Sequence, residues 1–236
     1  MPRTFHWGDA GPRILLVHGL SSSSESWWRV VEELAPHARL TAVDLRGHGA
    51  SGAAERYTLS DYASDLPGED WDAVVGHSLG GASAVVAAGR PGFTRSLVLL
   101  DPVLEVPAGI WDEVLADQLS ELELDEVAIA AAKPHWHQRD RDAKLVGVRA
   151  VVPEAVGRTF TDSGRWDVVA ETVALTVPTL ILSGDPAVYT MLAPETASAI
   201  VEANPLIEVR VIPGAGHSPH RDVPDATLRA MREWLL

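Results

Sequence analysis

The chain of 236 residues contains no cysteine. This absence excludes disulfide bonds, thiolate metal sites and a cysteine nucleophile together. The hydrophobic content of 46% is enough to bury one sizeable core, and no linker-like stretch divides the chain. We therefore expect a single hydrophobic core whose chemistry depends on other side chains.

Long apolar runs are also missing. No run approaches the length of about 20 residues that a membrane-spanning helix needs. The N-terminal stretch MPRTFHWGDAG lacks the basic and then apolar pattern of a secretion signal. These two absences predict a soluble, cytoplasmic protein.

Basic residues are scarce. The sequence has 19 Lys and Arg against 33 Asp and Glu, a formal net charge of −14. Such a surface repels phosphate backbones and anionic lipids, which argues against nucleic-acid or membrane partners. The expected partner is a small-molecule substrate, and the sequence gives no prediction of oligomeric state.

Short β-branched runs alternate with helical patterns along most of the chain, which is typical of βαβ units. The nearly continuous apolar content of the runs predicts strands covered on both faces of a mostly parallel, doubly wound sheet. The predicted strands are Ile14–His18, Leu40–Asp44, Asp72–Gly76, Ser96–Leu100, Thr179–Ser183 and Ile207–Ile212. Predicted helices are Ser26–Leu34, Ser78–Gly89, Pro194–Glu202 and Asp225–Leu235, and a short hairpin is expected over FHWGDAGP.

Residues 105–175 break this alternation. They contain helix-like pieces but no convincing strand, and tryptophans and histidines are mixed with charged residues. A helical insertion at the carboxyl edge of a parallel sheet would cover the place where ligands bind. We therefore predict a core of residues 1–104 and 176–236 with a helical cap over 105–175. A solvated helical pair without a functional role is the alternative.

The stretch Gly76-His77-Ser78-Leu79-Gly80 has the pattern G-x-S-x-G between a predicted strand and a predicted helix. A strand that turns directly into a helix forces its turn residue into a strained conformation and lifts its side chain clear of the sheet. The two glycines are required because the strand and helix backbones approach closely. The pattern predicts an exposed Ser78 hydroxyl with the Leu79 N–H aimed at the same space. A Gly-Ser turn that only caps a helix is the alternative.

Two further glycine-rich stretches follow predicted strands. His18-Gly19-Leu20 precedes a run of serines and can present the Leu20 N–H as a second oxyanion donor. Gly214-Ala215-Gly216-His217 follows the last strand and places His217 on a loop that can reach back over the sheet edge. A serine hydroxyl needs such a base within hydrogen-bond reach. His220 is the rival base.

These stretches, in this order, resemble the α/β-hydrolase superfamily. The resemblance covers about residues 10–104 and 176–236, and it implies an α/β-hydrolase fold with a helical cap inserted after the family's sixth strand. It also implies Ser78 as nucleophile, His217 as general base and the Leu20 and Leu79 N–H groups as the oxyanion hole. Neither a metal nor another cofactor is implied.

The triad acid has two candidates. The family usually places the acid as G-x-x-D, but this sequence reads Ser183-Gly184-Asp185-Pro186-Ala187, so Ala187 occupies the expected position. Asp185 lies two residues early. Some branches carry the acid at the end of the sixth strand, where this chain has Asp101. Either carboxylate can orient an imidazole if it reaches the second ring nitrogen. Asp101 is preferred, and Asp185 is the alternative.

The predicted function is a serine hydrolase that cleaves an ester, a lactone or a thioester of a small, mostly apolar substrate. We expect Trp27, Trp111 and Trp136 to line its pocket, and for Trp27 a role in helix packing is the alternative. Hydrolysis of a carbon–carbon bond or cofactor-free perhydrolysis on the same triad is an alternative, as is a ligand-binding receptor with slow turnover. Fold alone does not choose among these chemistries.

Overall fold

The computed structural model describes residues 2–236, and in this range the chain forms one seven-stranded sheet. The strands are β1 (Arg3–Trp7), β2 (Arg13–Val17), β3 (Arg39–Asp44), β4 (Ala73–His77), β5 (Leu97–Leu100), β6 (Thr179–Ser183) and β7 (Ile207–Val211). Their spatial order is β1-β3-β2-β4-β5-β6-β7. β1 is antiparallel to β3, and the other neighbouring pairs are parallel. This is the predicted α/β-hydrolase fold.

The central strands are buried on both faces, which explains their continuous apolar sequence. Leu15, Val17 and Val74 point into one hydrophobic cluster, whereas their neighbours Ile14 and Leu16 point into a second cluster on the opposite face. Successive side chains of a strand alternate between faces, so each strand from β2 to β6 contributes to both clusters.

Helices cover the two faces. In chain order they are α1 (Trp28–Leu34), α2 (Leu59–Asp65), α3 (Leu79–Ala88), α4 (Trp111–Ser120), α5 (Glu126–Ala132), α6 (Gln138–Ala150), α7 (Pro153–Ser163), α8 (Val169–Val173), α9 (Pro194–Ala203), α10 (Pro219–Asp222) and α11 (Pro224–Leu235). Short 3-10 helices occupy Ser24–Trp27, Ala108–Ile110 and Glu121–Glu123.

Helices α4 to α8 lie between β5 and β6. The segments that lead into and out of this helical region run side by side. The Val106 N–H donates to the Trp166 carbonyl, and the Val168 N–H donates to the Leu104 carbonyl. Beyond this neck, α8 packs against α3 and α9. The cap limits of 105 and 175 stay a prediction. We call residues 106–166 the insertion.

Polar contacts fix the insertion to the rest of the chain. Asp140 of α6 accepts hydrogen bonds from the Trp28 indole and the Arg29 guanidinium. On the other side, the Tyr62 hydroxyl lies 2.7 Å from the Thr159 hydroxyl of α7. These buried contacts hold the insertion at a defined position over the sheet.

The hairpin predicted over FHWGDAGP is wrong. β1 pairs with β3, which separates it from β2. The turn residues Gly8 and Gly11 have positive φ, and the turn leads the chain from the edge strand β1 past β3 to the position of β2 inside the sheet. A further short helix, α2, precedes β4 and begins at a Thr58–Asp61 capping box.

Helices long and apolar enough to cross a membrane do not occur in residues 2–236.

Candidate active site

Ser78 sits at the junction of β4 and α3 with φ of 54° and ψ of −120°. The turn is tight enough that a Cβ on Gly76 would lie 2.5 Å from the Gly80 carbonyl oxygen. A Cβ on Gly80 would lie 2.2 Å from the Val17 carbonyl oxygen. Neither position has room for a side chain, so the two glycines of G-x-S-x-G allow the strand and helix backbones to meet.

Ser78, His217 and Asp101 form one hydrogen-bonded row. The Ser78 Oγ lies 2.9 Å from His217 Nε2, and His217 Nδ1 lies 2.6 Å from Asp101 Oδ2. These three residues are separated by up to 139 positions in the sequence. The fold therefore brings together a hydroxyl, an imidazole and a carboxylate in the order that nucleophilic catalysis requires.

The strand register explains the position of Asp101. His77 of β4 pairs with Leu100 of β5, so Ser78 and Asp101 are the first residues beyond two neighbouring strands. Asp101 also has a positive φ of 38°. A left-handed conformation in a non-glycine residue is costly and often marks a functional position.

Several donors hold the Asp101 carboxylate. Its Oδ2 accepts the Met191 N–H at 2.9 Å, and its Oδ1 accepts the Gly184 N–H at 3.0 Å. The Thr190 hydroxyl also donates to Oδ1. Burial alone would raise the pKa of Asp101, but the hydrogen bond and charge of His217, together with Met191 and Thr190, lower this pKa below its ordinary value.

The ionised Asp101 assigns the tautomer of His217. A carboxylate accepts only, so Nδ1 of His217 carries the proton and donates it to Asp101. Nε2 is then free to accept the Ser78 hydroxyl proton. The arrangement is that of a serine activated by an oriented base.

Asp185 lies elsewhere. Its two carboxylate oxygens accept the Ala187 and Gly214 N–H groups, each at 2.9 Å, so it closes the turns after β6 and β7. These hydrogen bonds, that of Gly214 first, lower the pKa of Asp185. The structure brings Asp101, and not Asp185, to His217.

The predicted oxyanion donors border the same space. Leu79 is the first residue of α3, where helical N–H groups have no partner within the helix. A Cβ on Gly19 would lie 3.1 Å from the Ser78 Cβ, so the loop that carries Leu20 passes directly beside Ser78. Leu20 and Ser78 line one cavity. Leu20 and Leu79 therefore lie beside Ser78, and their role as oxyanion donors stays a prediction.

That cavity has a volume of about 780 Å³ and lies between the sheet edge and the insertion. Its walls are largely apolar, with Val103, Val106, Ile129, Phe160 and Trp166 among the lining residues. A cavity of this size accommodates a small organic ligand.

Of the three predicted pocket tryptophans, Trp136 lines the cavity. Trp111 does not reach it and packs against Phe160, with ring centroids 5.4 Å apart. The prediction for Trp27 is wrong: its ring is fully buried in the core and stacks on His220 at 5.2 Å. Trp27 belongs to a short 3-10 helix whose inner face packs on the sheet, and the next residue, Trp28, points to the insertion instead.

His220, the rival base, is enclosed in that packing. It is 2% exposed, and neither ring nitrogen has a hydrogen-bond partner among residues 2–236. Burial, with nearby Arg221 and His217, lowers its pKa well below the ordinary value. His220 therefore contributes a neutral ring to the core.

Sequence reasoning missed two residues beside His217. Asp222 accepts the N–H groups of Gly216 and Ser218 on one oxygen and the Trp136 indole N–H on the other. It therefore joins the histidine loop to the insertion. His77 lies 2.8 Å from the His217 carbonyl oxygen through Nε2, and burial together with His220 and His217 keeps its pKa well below the ordinary value. No local sequence pattern indicates either contact.

Groups of three or more His, Asp or Glu side chains suited to a metal ion do not occur in the part of the chain that the structure describes.

Comparison with known proteins agrees with this geometry. The model of the alpha/beta hydrolase family matches residues 14–230. The chain is 29% identical to 2-(acetamidomethylene)succinate hydrolase of Mesorhizobium japonicum, over 96% of this chain and 88% of that protein. It is 27% identical to pimeloyl-[acyl-carrier protein] methyl ester esterase of Xanthomonas axonopodis pv. citri, over 95% of both chains. A crystal structure of E-2-(acetamidomethylene)succinate hydrolase superposes with a TM-score of 0.83 at 25% identity, covering 98% of this chain and 94% of that one.

Proposed function

The chain belongs to the alpha/beta hydrolase family and is a hydrolase, and from this premise we propose that it cleaves an ester, a lactone or a thioester through an acyl-enzyme on Ser78. The observation that supports this most directly is the 2.9 Å contact between Ser78 Oγ and His217 Nε2 at the floor of the cavity.

In the proposed reaction, Ser78 Oγ attacks the substrate carbonyl carbon while its proton moves to His217 Nε2. The carbonyl π electrons move onto the oxygen, and the Leu20 and Leu79 N–H groups stabilise this oxyanion. Asp101 stays ionised and stabilises the imidazolium. The oxyanion then re-forms the carbonyl, the bond to the leaving group breaks, and His217 donates its proton to that group.

Deacylation repeats these steps with water. His217 Nε2 takes a proton from the water molecule whose oxygen attacks the acyl carbon. The bond to Ser78 Oγ breaks, the acid is released and the serine regains its proton from His217. In this proposal the insertion acts as a cap that limits the size of the substrate and keeps bulk solvent away from the intermediate.

The test is a rate profile over p-nitrophenyl esters of increasing acyl length, together with lactones and thioesters. We expect turnover of at least one class and its loss in Ser78→Ala. Ser198→Ala is the matched control, because Ser198 is an exposed residue of α9 that bonds only to its own helix. Hydrolysis that persists in Ser78→Ala contradicts the proposal, as does a complete lack of turnover with tight ligand binding, the behaviour of a receptor.

Cleavage of an amide is the second candidate. The relative from Mesorhizobium japonicum has an acetamido group in the name of its substrate. The same acyl-enzyme steps apply, with His217 protonating a leaving nitrogen instead of oxygen. Including acyl anilides in the profile separates the two: amide turnover that exceeds ester turnover for the same acyl group supports this second candidate.

A further inference from the structure

Arg221 is a buried cation that has no carboxylate or hydrogen-bonding partner. It is 5% exposed, and its side chain forms no salt bridge or hydrogen bond with the other residues that the structure describes. Its guanidinium carbon lies over the Trp136 ring, 5.0 Å from the centroid. Charged side chains are almost never this buried unless they are paired.

The acidic residues around Arg221 do not supply that partner. Asp140 is held by Arg29 and Trp28, Asp222 by Trp136 and backbone N–H groups, and Glu121 by Lys144. These three carboxylates act on Arg221 only from a distance. Burial is the dominant influence, and it lowers the pKa of Arg221. Each of the three carboxylates is therefore bonded to other groups, and none of them forms a hydrogen bond with the Arg221 guanidinium.

Arg221 also lines the cavity that contains Ser78. It follows His217 by four residues, on α10, and Trp136 of the insertion lies against it. Lys133 adds a second cation on the Trp136 ring at 5.3 Å. This end of the cavity is therefore cationic and aromatic, unlike its apolar walls.

We propose that Arg221 binds a carboxylate of the substrate, at a position separate from the carbonyl that Ser78 attacks. A planar guanidinium matches a carboxylate with two parallel hydrogen bonds, and the aromatic face of Trp136 keeps the fork in place. The substrate class is then an acyl compound with a second, free carboxylate. This inference rests on the proposed function for the identity of the scissile bond.

A singly charged group fits this cavity better than a phosphate dianion. Four acidic residues also line the cavity and repel anions: Glu105, Glu113, Asp117 and Glu121. Glu113 and Asp117 are exposed, so solvent screens their charge, and Glu121 is paired with Lys144. Glu105 adds one half-buried negative charge, whereas the charge of Arg221 is buried and little screened. Together, the charges that line the cavity favour a ligand group with one negative charge, bound next to Arg221.

The kinetic test uses the p-nitrophenyl monoesters of succinate, glutarate and adipate, each against its neutral ω-methyl ester. We expect the wild type to prefer at least one monoester, measured as the ratio of the two kcat/KM values. Arg221→Met should lower this ratio by about 10- to 100-fold, the effect of losing a hydrogen-bonded charge partner. Arg221→Lys should retain part of it, because the charge remains while the fork is lost.

Arg229→Met is the matched control. Arg229 is an exposed residue of α11, so this variant makes the same change of net charge outside the cavity and should keep the wild-type ratio. An equal ratio in wild type and Arg221→Met overturns the inference. So does a wild type that shows no preference for any monoester while it hydrolyses the neutral esters, and in that case the proposed function stands.

A binding measurement tests Arg221 without turnover. In Ser78→Ala protein, monomethyl glutarate should raise the Tm, and in Ser78→Ala with Arg221→Met it should not. If no ester is hydrolysed but this difference is present, the proposed function fails and the carboxylate site stands.

The Tm of each ligand-free variant separates binding from a structural role. Removing an unpaired buried charge should leave the Tm of Arg221→Met equal to or above that of the wild type. A clear fall in Tm with no change in ligand response overturns the inference.

Discussion

Asp101→Asn is expected to lower kcat by about a thousand- to ten-thousand-fold, the magnitude typical of a triad that loses its acid while keeping its shape. Asparagine is nearly isosteric, but it replaces one accepting oxygen with an NH₂ donor. The surroundings of Asp101 contain donors on both sides, so neither orientation of the amide restores the original hydrogen bonds.

The two orientations fail for different reasons. With NH₂ on the Oδ2 side, it faces the Met191 N–H and forces His217 to accept at Nδ1, so Nε2 is protonated and unable to take the Ser78 proton. With NH₂ on the Oδ1 side, it faces the Gly184 N–H, and the imidazolium loses the negative charge that stabilises it. An unsatisfied buried donor also costs about 1–3 kcal/mol of folding free energy.

The assay is steady-state hydrolysis of the best p-nitrophenyl ester, with Tm recorded for each variant. Asp185→Asn is the control, because Asp185 lies on the solvent side of its turns and does not contact His217. Its kcat should stay within about threefold of the wild type. Turnover by Asp101→Asn within about tenfold of the wild type, or an equal loss in Asp185→Asn, would contradict the assignment of Asp101 as the triad acid.

Three further predictions concern stability and the surroundings of His217. Burial lowers the pKa of His48 to about 3 and also lowers the pKa values of His18, His77 and His220. Below a pH of about 6.5 these histidines bind protons in the unfolded chain but stay neutral in the folded chain. The free energy of unfolding should therefore fall as the pH drops towards about 5, by up to about 1.4 kcal/mol per pH unit for each histidine. Urea unfolding across this range checks the slope, and a flat profile contradicts it. Gly80→Ala should prevent folding or lower the Tm sharply, because its Cβ would lie 2.2 Å from the Val17 carbonyl oxygen. Gly109→Ala is the control, since a Cβ there meets open space and should have little effect on the Tm measured by circular dichroism. Equal Tm values for the two variants contradict the close approach of backbones at Gly80. Asp222→Asn should lower kcat by about tenfold, because one amide orientation disrupts the bonds to Gly216 and Ser218 and the other disrupts the bond to Trp136. An unchanged kcat in stopped-flow or steady-state assays means that the His217 loop holds its position without Asp222.

The features that sequence predicts here are local. Six of the strands follow from apolar runs, and the Ser78 turn follows from a five-residue pattern whose glycines have no room for a Cβ. The register of β4 and β5 then places Asp101, the residue after Leu100, beside Ser78, the residue after His77. A strand-end aspartate is therefore close enough to contact His217.

The contacts that sequence did not predict depend on how the insertion packs. Trp136 reaches Asp222 across 86 positions, and the Arg221 guanidinium lies over the ring of the same tryptophan. Such contacts have no local pattern. The error at Trp27 has a local cause. A 3-10 helix of four residues is too short for its hydrophobic pattern to show which side chains point inward.

Covalent labelling tests directly whether Ser78 is the nucleophile. The protein is treated with a fluorophosphonate, and the adduct is measured by intact mass and located by peptide mapping. We expect one adduct per chain, on Ser78, that is absent in Ser78→Ala and forms much more slowly in His217→Ala. An adduct on another residue, or none on the folded wild-type protein, would contradict this expectation.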